Sequence, residues 1–189
     1  MSASLCDRAP NDKDPFWVRF MEAQRRSGEA NKVSAPVRLP GGASRILYGG
    51  GLVELAPDEA LLLEFEAPRA RWWCMQLSSI PWGETIDEGG RSSSLNHRRA
   101  HADADGRVRV VVSARDPGTP NWIDMGGRRR ARLLYRWIDA ENEPVPLSRV
   151  VPVDGCRAGL PPDTPFVDPV ARERMVERRQ RHLASRTRI

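Results

Sequence analysis

Nowhere in the 189 residues does an apolar run approach the roughly 18–20 residues of a bilayer-spanning helix, and Met1 to Asp7 shows no basic region followed by an apolar one. On these two absences neither a helical membrane span nor a secretory leader is expected. A cytoplasmic location without membrane contact is the expectation. Cysteine is scarce: Cys6, Cys74 and Cys156 are odd in number and widely spaced, with no C-x-x-C pair. That excludes a disulfide framework and a thiolate zinc site, so reduced thiols are expected. Histidine is as scarce, at His97, His101 and His182. The G-x-S-x-G elbow, the G-x-x-x-x-G-K-[ST] phosphate loop, H-E-x-x-H and a G-x-G-x-x-G between strand and helix are all missing. No cofactor and no metal is therefore expected.

What is present has a globular balance, with 40% hydrophobic and 29% charged residues, enough for one core but not two. The net charge is +5, and its location matters more than its size. Between Asp168 and Ile189 stand seven arginines against three acids, which leaves the rest nearly neutral. A solvated, arginine-rich terminal helix is the simpler reading of that run, and without a recognised DNA- or RNA-binding motif a nucleic acid is not the expected partner.

Asp14-Pro15 resembles an N-cap followed by proline at the first helical position. A short helix follows from it, with Phe16, Trp17, Phe20 and Met21 on one apolar face. From Ala35 to about Val153 the pattern is short apolar runs divided by turn residues, which is the grammar of β-sheet. The predicted strands are 45–48, 52–55, 60–66, 71–77, 93–98, 107–113, 131–138 and 148–153. Gly49-Gly50-Gly51 reads as a turn or bulge between the first two, and 56–59 and 103–106 read as turns, the latter closed by Gly106. No helix long enough for a parallel crossover lies between the strands, so an all-β, antiparallel sandwich is expected. Asp168-Pro169 repeats the cap-plus-proline signal, and Val170, Met175, Val176 and Leu183 give the C-terminal helix a thin apolar stripe. The plan is an N-terminal extension with a short helix over 1–34, a β-sandwich over 35–160, and a proline-rich link with a basic helix over 161–189.

Two segments mix tryptophan with hydrogen-bonding groups. One runs from Arg71 through Trp72, Trp73 and Gln76 to Trp82, Asp87, Arg91, Ser94 and Asn96. The other is Asp116-Pro117-Gly118-Thr119-Pro120-Asn121-Trp122-Ile123-Asp124. Such mixtures line concave ligand sites, where aromatic faces give contact area and polar groups fix orientation. They also arise where tryptophans anchor the core and Asp87–Arg91 and Asp124–Arg136 pair to tie down loops. His97 and His101 near Asp103 and Asp105 have metal-like spacing, but the closing oxygen ligands are absent and turn chemistry accounts for the aspartates.

The elements Trp73-x-x-Gln76-Leu77, Ser94-Leu95-Asn96, Asp103-x-Asp105-Gly106, the Asp116 to Asp124 run and Arg136-Trp137 together resemble the bacterial family called domain of unknown function 1214, over roughly residues 45–153. The resemblance implies a jelly-roll-like sandwich and lends no activity. It also implies an upstream domain in many members, where this sequence has the segment 14–32. Members often carry a histidine shortly after the second segment's last aspartate, whereas this chain reads Asp124-Met125-Gly126-Gly127-Arg128, so no acid–base role is carried over to that position.

Three functional expectations follow. The first is a small-molecule or carbohydrate-binding accessory module, with Trp73, Trp82, Asn96, Asn121 and Trp122 as its rim. The second is a metal- and nucleotide-independent lyase, isomerase or hydrolase on an apolar metabolite, with Asp116 or Asp124 as general base and Arg91 or Arg136 stabilising developing negative charge. The third is an interaction module whose basic C-terminal helix binds an acidic partner or pairs two copies into a homodimer.

Overall fold

A computed structural model describes residues 16–80, 82–87 and 89–187. The Asp14-Pro15 cap, Cys6 and the side chains of Phe16 and Trp17 lie outside the described residues. In chain order the elements are α1 (Phe16–Arg26), β1 (Ile46–Glu54), β2 (Glu59–Glu66), β3 (Ala70–Ser78), β4 (Ser94–Asn96), β5 (Arg107–Ser113), β6 (Trp122–Asp124), β7 (Arg130–Ala140), β8 (Leu147–Pro152), a 3-10 helix (Val153–Gly159) and α2 (Pro169–Thr187). No described helix is long and apolar enough to cross a membrane.

The strands form two four-stranded sheets, ordered β1-β7-β3-β4 and β6-β5-β2-β8. Their inward side chains share one core. Leu61, Leu63 and Phe65 of β2 and Val108, Val110 and Val112 of β5 meet Trp73, Met75 and Leu77 of β3 and Leu133, Tyr135 and Trp137 of β7. Period-two alternation is what makes this possible, because it puts every second residue of a strand on the buried face. The β-sandwich expectation holds at this level, with one correction: β6 pairs with β5 in parallel, Val111 opposite Trp122 and Ser113 opposite Asp124. On the outer face of the second sheet, Ala60, Leu62 and Val111 are covered by Val153, Cys156 and Leu160 of the 3-10 helix and the residue after it. Cys74 and Cys156 are both buried thiols, and burial pushes the Cys156 thiol up from its ordinary range.

The predicted turn at Gly49-Gly50-Gly51 does not exist, since β1 runs straight through all three. Close approach, rather than chain reversal, requires them. The Tyr135 ring lies over Gly49, its register partner, so that a Cβ there would sit 2.2 Å from ring carbon Cζ. A Cβ on Gly50 would sit 2.1 Å from the Leu133 carbonyl oxygen, and one on Gly51 2.4 Å from that of Lys32. Freed by the missing side chain, Tyr135 stacks against Trp137 with centroids 4.4 Å apart, and its hydroxyl donates to the Ser34 carbonyl at 2.7 Å. Ser34 belongs to the segment that covers the outer edge of β1 through Asn31, Ser34 and Val37 backbone N–H donors. Burial raises the Tyr135 hydroxyl well above its ordinary pKa, so it stays a donor.

α1 packs against β1 with Met21 buried, and the Gln24 side-chain oxygen accepts from the Leu52 N–H at 2.9 Å. Phe20, expected on the apolar face, is 41% exposed, so that face turns toward Met21 and Gln24.

Gly49→Ala is expected to cost about 1–3 kcal/mol by overpacking against the Tyr135 ring. Urea denaturation of Gly49→Ala, Tyr135→Leu and the double variant checks this, and the double variant should lose less than the sum of the singles. Strict additivity would mean the ring does not set the need for glycine.

Candidate functional site

The second tryptophan-rich segment is built around an arginine far from it in sequence. Asp168 caps α2 by accepting from the Ala171 N–H at 2.7 Å, with Pro169 as the first helical residue, as the sequence signal implied. One turn on, Arg172 is 7% exposed. Its guanidinium forks onto Asp116, Nε to Oδ2 at 2.7 Å and Nη2 to Oδ1 at 3.0 Å, and Nη2 also donates to the Thr119 carbonyl at 2.6 Å. The same group lies 5.0 Å over the Trp122 ring, whose indole N–H donates to Ser113 Oγ at 3.0 Å. Pro117, Gly118 and Pro120 shape the cradle, and Gly118, at φ +68°, takes Asp116 Oδ1 on its N–H. Asp116, expected as a general base, and Trp122, expected on the ligand rim, thus hold the C-terminal helix. Asp116 and Arg172 border a cavity of about 680 Å³, where Asp154 pairs with Arg115 and Arg157 donates to Thr164 and Pro162 carbonyls.

Asn121 is buried and works as a bracket: its oxygen accepts from the His101 N–H at 2.8 Å, and its amide donates to the His101 and Arg109 carbonyls at 2.7 and 2.9 Å. Beside it, Arg109 gathers Glu64, Asp103 and Asp105, and Asp103 also accepts from Thr164 at 2.6 Å. His101 lies 3.5 Å from Asp103, and among the described residues no three His, Cys, Asp or Glu side chains come together to hold a metal. The charge-assisted bond from Arg109, with the Arg107 N–H, holds Asp105 down to about 2.

The remaining candidates disperse. Asp124 is buried and accepts from Arg91 at 2.9 Å and from the Gly126 N–H at 2.7 Å, so the ion pair is Arg91–Asp124 and neither Asp87–Arg91 nor Asp124–Arg136. Asp87 caps the Gly90 N–H instead, and Arg136 donates to Gln76 Oε1 at 3.1 Å. The four proposed catalytic side chains therefore belong to three separate bonded groups. Trp73 is a core residue, 4% exposed and edge-on to both Phe65 and Trp137, while Trp82 is 70% exposed.

The arrangement that brings open chemistry together lies on the outer face of the first sheet. Trp72, Cys74 and Gln76 alternate outward from β3, and Asn96 and Ser94 stand directly opposite Cys74 and Gln76 on β4. α2 crosses this floor, fixed by Arg179, which donates to Ser94 Oγ at 2.7 Å and to the Ser94 carbonyl at 3.2 Å. The result is a groove of about 480 Å³. Arg98 and Arg99 form one bank; Arg178, Arg179, His182 and Arg186 of α2 form the other, with Met175 and Leu183 as its apolar part. Among the described residues no carboxylate lines it. Trp72 is half-buried with its ring edge-on to His97. Of the expected rim only Asn96 is here. The α2 residues were missed because a docked helix and a solvated one have the same composition. The usable signal was spacing, since Met175, Arg179 and Leu183 recur at i, i+4 and i+8, as do Arg178, His182 and Arg186.

No protein-family model matches this chain, and no curated protein matches it. Among solved structures it is similar to an uncharacterised protein from Burkholderia cenocepacia, 30% identical with a TM-score of 0.65, over 76% of this chain and 40% of that one. It therefore spans less than half of that relative's length. A Vibrio parahaemolyticus protein is 20% identical over 52% of this chain and 27% of its own, with a TM-score of 0.44. The first of these supports the sandwich fold.

Arg172→Met should lower stability by about 3 kcal/mol, the order expected when one partner of a buried pair is removed, and should open α2 to trypsin at its arginines. Asp116→Asn should do the same to a smaller degree, and the double variant should cost little more than Arg172→Met alone. Unchanged proteolysis would show that α2 docks without this pair. Asp105 gives a pH test. Its carboxyl is depressed in the folded state, so its contribution is complete above the ordinary aspartate range near 3.8 and is lost as pH falls toward about 2. Melting temperature against pH should therefore fall less steeply below about pH 4 in Asp105→Asn than in the parent.

Proposed function

We propose that this protein is a small-molecule-binding accessory module whose ligand lies in the groove between the first sheet and α2. The observation that carries the reading is the groove itself: a concave site of about 480 Å³, within the usual range for small ligands, with an aromatic face and amide groups on its floor. Trp72 supplies contact area. Asn96 and Gln76 supply orientation, and because Arg136 occupies the Gln76 carbonyl, that amide offers its N–H groups. A binding role draws more support than a catalytic one from the two aspartates proposed as bases, each of which already holds an arginine and a backbone N–H. The ligand site of this reading is displaced from the rim expected around Trp73, Asn121 and Trp122 to the neighbouring face that carries Asn96.

The same reading takes the sandwich as jelly-roll-like and the chain as a member of the domain of unknown function 1214 family. Support comes from the chain's crossing between sheets at β1–β2, β2–β3, β4–β5, β6–β7 and β7–β8, and from the Asp116 to Trp122 run. A cytoplasmic setting suits the two buried thiols.

A thermal-shift panel of sugars, steroids, fatty acids and aromatic metabolites tests the proposal, because a ligand of the native state at a hundred times its Kd stabilises by about 2.7 kcal/mol. One chemical class should raise the melting temperature of the parent and of Trp122→Phe, and the rise should vanish in Trp72→Ala with circular dichroism unchanged. A rise that survives Trp72→Ala would place the ligand elsewhere.

A further inference from the structure

From the charge and spacing of the groove walls we infer that its ligand is a small soluble polyanion carrying two or more adjoining phosphate-like groups. The inference rests on the groove being a ligand site. Five arginines and one histidine line it and, among the described residues, no carboxylate does. Several arginines elsewhere meet acids: Arg91 meets Asp124, Arg109 meets Glu64, Asp103 and Asp105, Arg115 meets Asp154, and Arg172 meets Asp116.

Arg178, His182 and Arg186 stand at i, i+4 and i+8 of one helix and so share one face of α2. Eight residues at 1.5 Å each make the row about 12 Å long, which exceeds the reach of a single phosphate. Arg98 faces it from the β4 side. Guanidinium groups fork onto phosphate oxygens in pairs, so cations on two banks along such a length match a diphosphate or longer chain of charge. Trp72 on the floor offers its face to any flat portion of the same molecule.

Inorganic pyrophosphate is the probe, titrated calorimetrically at constant ionic strength into the full chain. The parent should bind it, and Arg178→Gln with Arg186→Gln should weaken binding at least tenfold. Arg26→Gln with Arg69→Gln removes equal charge from exposed positions outside the groove lining and should leave affinity unchanged. Absent binding, or equal weakening in both double variants, would overturn the inference. Capture of a single-stranded oligonucleotide or of phosphatidylserine vesicles without pyrophosphate binding would also overturn it, in favour of a nucleic-acid or membrane surface. A neutral compound whose thermal shift is lost in Trp72→Ala, with no response to pyrophosphate, would end the polyanion reading and leave the groove a ligand site. No Trp72-dependent ligand of any class would end both.

Discussion

The buried guanidinium of Arg172 is the constraint on which the placement of α2 depends. α2 has little apolar surface with which to dock, since Val170 is exposed and Met175, Val176 and Leu183 are only half-buried. A nineteen-residue helix dense in arginine has no strong hydrophobic reason to lie on a sheet. A charge taken out of water, however, must be met by partners, and Arg172 is met on every side: both oxygens of Asp116, the Thr119 carbonyl and the Trp122 ring face. The bidentate fit makes the contact directional as well as strong. It fixes where the helix begins, and the Arg179 bonds to Ser94 two turns later fix where it crosses β4. The groove is the space between those two attachments and the floor.

That floor is rigid because of what lies beneath it. Outward-facing Trp72, Cys74 and Gln76 alternate with inward-facing Trp73, Met75 and Leu77, and the inward residues are locked into an aromatic cluster with Phe65, Tyr135 and Trp137. Rings packed edge to face and in offset stacks have few alternative positions, so the backbone of β3 has little freedom to shift. The glycine run in β1 belongs to the same cause. Tyr135 occupies the volume that a side chain at residue 49 would need, and the sheet remains continuous there only because nothing competes for it.

Much of the fold was legible because it was local. Strand spacing, the turns at 56–59 and 103–106, and the Asp168-Pro169 cap all act over two to four residues, and each is present. The errors came from interactions whose partner lies elsewhere in the chain. Three glycines in a row look alike whether the chain reverses or an aromatic ring from β7 presses on them. β6 is three residues long and joins its sheet in parallel, so it has neither the length nor the hairpin connection by which strands announce themselves. The site divides along the same line. Which face each residue of the tryptophan-rich segments took depended on register, and that sent Trp73 to the core and Trp72 to the groove. Asp116 and Arg172 are 56 positions apart, and no sequence pattern joins them.

Charge ties these levels together. The chain holds thirty basic residues against 25 acids, a modest excess if spread evenly over a surface. The fold does not spread it evenly. Acids are drawn to particular arginines, three of them to Arg109 alone. The docking of α2 then lays Arg178 and Arg186 along a concave floor that Arg98 also borders, gathering cations on one face of the molecule. The buried ion pair at the start of the helix, with the Arg179 bonds to Ser94, thus decides where the arginines of α2 lie.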